Sequence, residues 1–253
     1  MTVSIPYYEE CQKLLEDHDT LTNRECMDLI WTVVNGYGNP TGDPIQESFL
    51  YVVCLKYASL QPLFSEVRQK EVERWMSRVG YAQMNFLDPE DNMMKNLLPH
   101  LVKTVAIVGD ILHDPVLLVW ADKYLLQYID ENLYTDGSCI DFHERDSLTY
   151  VTYSLNSLVL AIPALKKHFP FTDYYRYSSP CHSSIQKCMD FLKLYIEGKR
   201  VNIMFDRTTY DSDKLIHADH YQKPWNKNDA KPLFLNAAVI DPECMEYYQQ
   251  FLV

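Results

Sequence analysis

An all-helical fold is what this sequence predicts, on three observations. Only 7 of the 253 residues are glycine, too few for the tight turns of a β-rich chain. The stretches between turn formers are long and carry apolar residues at helical spacing. These stretches follow one another through short turns, the pattern of antiparallel helices in a bundle, a solenoid or an α/α toroid. Periodicity does not separate those three architectures, and no strict short repeat is visible. The apolar fraction, 47%, is sufficient for a sizeable core. No shift in composition marks a boundary, so residues 1–253 read as a single helical domain.

Residues 7–16 and 24–35 are short amphipathic helices. The loop 36–44, GYGNPTGDP, is dense in turn formers. A helix is expected over 45–60, with Pro62 marking its end. Ser65 is a good N-cap for a helix over 65–86, with Val72, Trp75, Met76 and Val79 as its apolar stripe. A helix follows over 91–113, less regular before Pro99, and another from Val116 to about Leu133. It closes at Tyr134-Thr135-Asp136-Gly137-Ser138, with Gly137 as the left-handed residue. The next helix runs from about Asp146 to Phe169, and Pro163 should kink it or end it early. A further helix covers Ser183–Glu197 and stops at Gly198. Residues 199–232 are polar and irregular, with the character of a functional loop. The last helix starts near Pro232 and breaks at Asp241-Pro242.

The formal net charge is −12. That excludes a general nucleic-acid binder, which needs a basic face, but is compatible with a local cationic pocket for an anionic ligand. The seven cysteines are scattered and odd in number, with no CxxC pair, as expected of reduced, mostly buried thiols. The N-terminus shows neither a basic n-region nor an apolar h-region, so the sequence reads as cytoplasmic. No stretch looks long and apolar enough to span a membrane. HADH at 217–220 has the look of a metal pair but lacks the usual ligand spacing, and no metal or cofactor is implied.

Chemistry concentrates between Asp136 and Tyr153. On a helix starting near Asp146, Asp146, Tyr150 and Tyr153 are spaced four and then three apart and share one face. His143 and Arg145 lie just before it. A fixed cation, an imidazole and two phenols are thus gathered in one region. The plainer reading is a capped helix with both tyrosines packed inward and Arg145 paired to an Asp or Glu.

The segment DGSCIDFHERDSLTYVTYSLNSL (136–158) resembles the one that characterises alginate-lyase-like polysaccharide lyases. Other pieces agree, in the family's order. NPTGDPIQES (39–48) is similar to the family's TGNPIN-type loop. Lys95-Asn96 with His100 and Lys103 resembles its Asn-rich helix start, and PWNKNDAKPLF (224–234) the segment before its last helix. The resemblance spans about residues 30 to 250.

It implies an incomplete or compact α/α toroid of antiparallel helix pairs, shortened at its N-terminus relative to the family. It also implies metal-free β-elimination on uronate residues of an acidic polysaccharide. In that chemistry the C5 proton becomes removable once the neighbouring carboxylate is neutralised, and a tyrosine takes it and protonates the leaving oxygen. The resemblance assigns Asn96 and His100 to the carboxylate, Arg145 to the tyrosine or substrate, and Tyr153 to acid and base catalysis. Tyr150, Lys103, His143 and Trp225 become substrate contacts, Trp225 by stacking on a sugar ring. The chain departs from the family at Thr149 and Val151, where histidines often flank the first tyrosine, and at Asn202 and Met204, where a His and a Glu are usual. A carbohydrate-binding pseudoenzyme and a helical interaction scaffold are the competing readings.

Overall fold

The computed structural model describes residues 7–16, 21–86 and 96–252. Among them every regular element is helical, and pairing of strands is limited to two isolated bridges. The chain forms two compact units. One comprises residues 1–91 and 100–122, the other 92–99 and 123–253.

The first unit contains α1 (Tyr8–Glu16), α2 (Asn23–Gly36), α3 (Pro44–Glu47), α4 (Tyr51–Leu60) and α5 (Glu66–Met84), most of α6 (Leu98–Leu112) and the start of α7 (Pro115–Asn132). The expected helix over 91–113 has its first five residues outside the described ones; the observed helix begins at Leu98. Thr22 and Glu25 form a reciprocal capping box that fixes the start of α2. Ser65 caps α5 as expected, its side chain accepting from the Arg68 amide. The stripe Val72, Trp75, Met76 and Val79 is fully buried; each such side chain contributes roughly 1.5–3 kcal/mol of apolar burial. Gly80 continues it, because a Cβ there would meet Leu117 Cδ1 at 2.8 Å and Val108 Cγ1 at 2.9 Å.

The expected helix over 45–60 is two helices with a turn at 48–50. The reason lies in Glu47. Its buried carboxylate turns back into the preceding loop and accepts from the Thr41 amide (2.6 Å), Thr41 Oγ1 (2.9 Å), the Gly42 amide (2.9 Å) and Tyr37 Oη (3.1 Å). It ties α3 to the loop instead of to the helix that follows.

The second unit contains the rest of α7 and α8 (Ile140–Arg145), α9 (Leu148–His168), α10 (Ile185–Ile196), α11 (Asp211–Ile216), α12 (Lys231–Ala237) and α13 (Glu243–Gln250). Gly137 is left-handed, with φ +84°, as its place in the turn predicts. α9 is the central element, against which α8, α10 and α12 pack. It runs unbroken through Pro163 to His168, close to the expected end, so of the two outcomes expected at that proline, a kink or an early end, the early end does not occur. Its apolar residues are buried on both sides of Pro163, from Leu155 and Leu158 to Ala164 and Leu165, and that packing outweighs one lost backbone hydrogen bond. Contrary to the sequence reading, α9 is also long and apolar enough to cross a membrane. However, 67% of its apolar window is buried inside the structure, as in the core helix of a globular unit.

Residues 199–230 are not a bare loop. Ile203 bridges Pro224, and Met204 and Lys223 pair through Met204 N to Lys223 O (2.9 Å). α11 is set within the stretch, where the sequence suggested no helix.

Candidate functional site

The site grows from a junction between two helices. Asp146 does not open α9, as its spacing suggested, but ends α8 in the left-handed conformation, with φ +50°. Aspartate tolerates that conformation better than most residues. The N-cap of α9 is Ser147, and the helix starts at Leu148. The shared face of Asp146, Tyr150 and Tyr153 therefore reduces to the two tyrosines.

Buried Asp146 instead holds the irregular stretch. Its carboxylate accepts from Asn202 Nδ2 (2.9 Å), the Arg207 amide (3.2 Å) and Arg207 Nε (3.0 Å), and its carbonyl accepts from the Phe205 amide (3.0 Å). That anchoring swings Met204 and Phe205 against the start of α9. With them it brings α11, whose Asp213 is fully buried.

Arg145 pairs with Asp213 through Nε and Nη2, and Thr208 Oγ1 donates to the same carboxylate (2.5 Å). The guanidinium carbon lies 3.9 Å from the centre of the Tyr150 ring. Burial works against the charge on Arg145, but Asp213, Tyr150 and Asp141 together outweigh it and hold the guanidinium above its ordinary range. Arg145 is thus paired with an acid, as the plainer reading of the segment had it, and its guanidinium also faces the Tyr150 ring.

Tyr150 Oη is 2.7 Å from His217 Nε2. His217 in turn lies flat on Phe205, with ring centres 4.8 Å apart and an interplanar angle of 8°. Burial pushes the Tyr150 phenol up to about 12, against the opposing pull of Arg145. Burial also lowers His217, with Asp213 pulling the other way and Arg145 and His220 adding to the fall. Both partners are therefore neutral near pH 7.

Tyr150 and Tyr153 open onto one cavity of about 200 Å³, walled on the other sides by Met204, Phe205, His217 and His220. Thr149 and Asp229 complete its lining, joined by a 2.9 Å hydrogen bond from Thr149 Oγ1. Tyr153 is 53% exposed.

The remaining sequence-selected residues are not among those that line this cavity. His143 Nε2 contacts Ser138 Oγ at 2.7 Å, and Ser138 donates to Asp136, so His143 braces the turn before α8. Trp225 gives its amide to the Asn202 carbonyl (3.0 Å), and its indole Nε1 is buried without a hydrogen-bond partner among the described residues. Asn96 is in the turn before α6, in the second unit's 92–99 segment, while His100 and Lys103 are in the first unit. Burial, then the charge of Lys103, push the His100 imidazole down to about 3. Lys103 is buried with its Nζ 4.1 Å from the Tyr51 ring centre.

Sequence reasoning missed Asp213, Phe205 and Asp229 as site residues. It noted Met204 only as a departure from the family and His217 only as half of an unconvincing metal pair. No local pattern marks them, because Asp213 and His217 meet Arg145 and Tyr150 across 68 and 67 residues of chain.

A protein-family model described as Alginate lyase matches residues 34–201. The chain belongs to the alginate lyase family. The all-helical architecture agrees with that membership, which points to polysaccharide lyase activity. No curated protein matches the chain. The alginate-lyase match contains Arg145, Tyr150 and Tyr153 but ends before Asn202, Met204, Phe205, Asp213 and His217. It also ends before the 224–234 segment in which the sequence resembled the family. More than half of the residues lining the cavity, Met204, Phe205, His217, His220 and Asp229, thus belong to chain beyond the matched region.

Proposed function

We propose that the chain is a polysaccharide lyase that cleaves a uronate-containing acidic polysaccharide by metal-free β-elimination. The observation that carries this reading is the Tyr150–His217 contact on a cavity shared with Tyr153. β-Elimination breaks the C5–H bond, turns its electron pair into a C4–C5 double bond, and expels the oxygen at C4. One proton leaves C5 and one is needed by the departing oxygen. A phenol placed against the sugar serves both demands.

The sequence assigned that work to Tyr153. The cavity favours Tyr150 for it. Tyr150 has a proton partner in His217 and a cation on its ring face, whereas Tyr153 is more than half exposed and suited to holding the sugar. A cation beside the ring favours charge building on the phenol oxygen in the transition state.

The test is the ultraviolet absorbance of unsaturated uronate product from a panel of polyuronates, with wild type, Tyr150→Phe and Tyr153→Phe. Wild type should give product with at least one polymer. Tyr150→Phe should lose about 100-fold or more in kcat, the usual worth of acid and base catalysis. Tyr153→Phe should act mainly on KM. A folded wild-type protein that yields no product with any polyuronate overturns the reading in favour of a carbohydrate-binding or scaffold role.

A further inference from the structure

We infer that His217 is the proton store behind Tyr150, a positioning residue that acts on substrate only through the phenol. The inference rests on the lyase reading and names a component that lies outside the region shared with the family.

Three features of the geometry carry it. The contact between Tyr150 Oη and His217 Nε2, at 2.7 Å, is a direct path for a proton. The imidazole is stacked on Phe205, which keeps its Nε2 facing the phenol. Phe205 is itself pinned, with its amide on the Asp146 carbonyl and its side chain buried. Both rings of the pair reach the cavity, so a sugar seated there meets the phenol with the imidazole already behind it.

The relay balances as follows in atoms and electrons. The C5–H bond breaks and its proton goes to Tyr150 Oη, while the phenol's own proton passes to His217 Nε2. The C5 electron pair forms the C4–C5 double bond, and the C4–O4 bond breaks with its electrons on the oxygen. That oxygen takes a proton from Tyr150, which recovers one from the His217 imidazolium. One proton has moved from C5 to O4, and the pair is back where it began. Tyr150 never holds a full negative charge, which matters because its burial makes a free phenolate costly near neutral pH.

The relay needs His217 neutral at the outset. The groups facing that ring are Tyr150 on α9, Arg145 on α8, Asp213 one turn earlier on α11, and His220 three residues on. Their sum with burial lowers the imidazole below its ordinary value. Activity should therefore fall only on acidification below the usual histidine range, as His217 takes up a proton from solution and can no longer accept one from Tyr150.

The experiment compares wild type with His217→Gln, which keeps a hydrogen bond to Tyr150 but cannot store a proton. His217→Gln should lower kcat by about 30-fold or more and abolish the acidic limb of the pH profile of kcat, with KM little changed. In parallel, imidazole titration by nuclear magnetic resonance in wild type and Tyr150→Phe reads the pairing without turnover; His217 should titrate at a different pH in the variant. Product formation by wild type with an unchanged His217→Gln profile overturns the relay and leaves the lyase reading standing. So does an identical His217 titration in both proteins. Absence of product from wild type overturns both.

Discussion

Burying the ammonium of Lys103 removes hydration that the face of Tyr51, 4.1 Å away, replaces only in part. The amine responds by falling from its ordinary 10.5 to about 7, through burial. The folded chain thus prefers the neutral amine. Protonation opposes folding fully below pH 7, and the penalty fades as the pH climbs towards 10.5. Lys103→Met keeps the length of the side chain and removes the charge. It should raise Tm at pH 7 by roughly 2–4 °C, for about 1 kcal/mol or more. The gain should shrink in thermal melts taken up to pH 10. A gain that does not change with pH would mean that packing, not charge, sets the cost. Among the site residues, Tyr150 and Tyr153 were legible because their spacing of three puts them on one helical face. Asp213 and His217 were not, because hydrophobic periodicity says nothing about which distant loop returns to which helix.

The elements show the same division in another form. α5 was readable to its cap because Ser65 and the Val72–Val79 stripe are local signals. The split between α3 and α4 was not, since it depends on where Glu47 places its carboxylate. Nor was α8, a helix of six residues whose last member gives way to a left-handed aspartate. Asp146 decides the next level, because it fastens residues 202–207 to the α8–α9 junction. Each charge-assisted hydrogen bond to it is worth roughly 1.5–3 kcal/mol. Asp146→Ala removes these bonds and puts a residue with a Cβ but no polar side chain at positive φ. It should speed cleavage within 199–225 by about tenfold or more in limited proteolysis read by mass spectrometry. Asp146→Asn, which tolerates the backbone and keeps part of the bonding, should fall between that variant and wild type. Unchanged cleavage in Asp146→Ala would show that the stretch is held by its own Met204–Lys223 pairing instead.

At the scale of the molecule, charge is unevenly shared. The first unit carries 8 Lys and Arg against 18 Asp and Glu, a net −10, and the second 15 against 17, a net −2. The cavity with Tyr150 and Tyr153 is thus in the nearly neutral unit, and most of the −12 belongs to the other. On the proposed reading, a polyanionic substrate would be opposed by the net charge of the chain, while the unit that holds the cavity carries little of that charge. The two effects respond differently to salt. At about 0.01 M ionic strength the screening length is ~30 Å and the repulsion reaches well beyond the surface; at 0.15 M it is ~8 Å. For a long polyuronate, kcat/KM should therefore rise several-fold between those conditions, whereas kcat itself, set inside the cavity, should change little. A short uronate oligomer carries fewer charges into the same field and should respond less. Initial rates for the two substrates across that salt range measure the difference. A kcat/KM that falls steeply with salt for the polymer would instead reveal a cationic track along which the polymer binds, and would displace the uneven charge of the two units as the determinant of substrate approach.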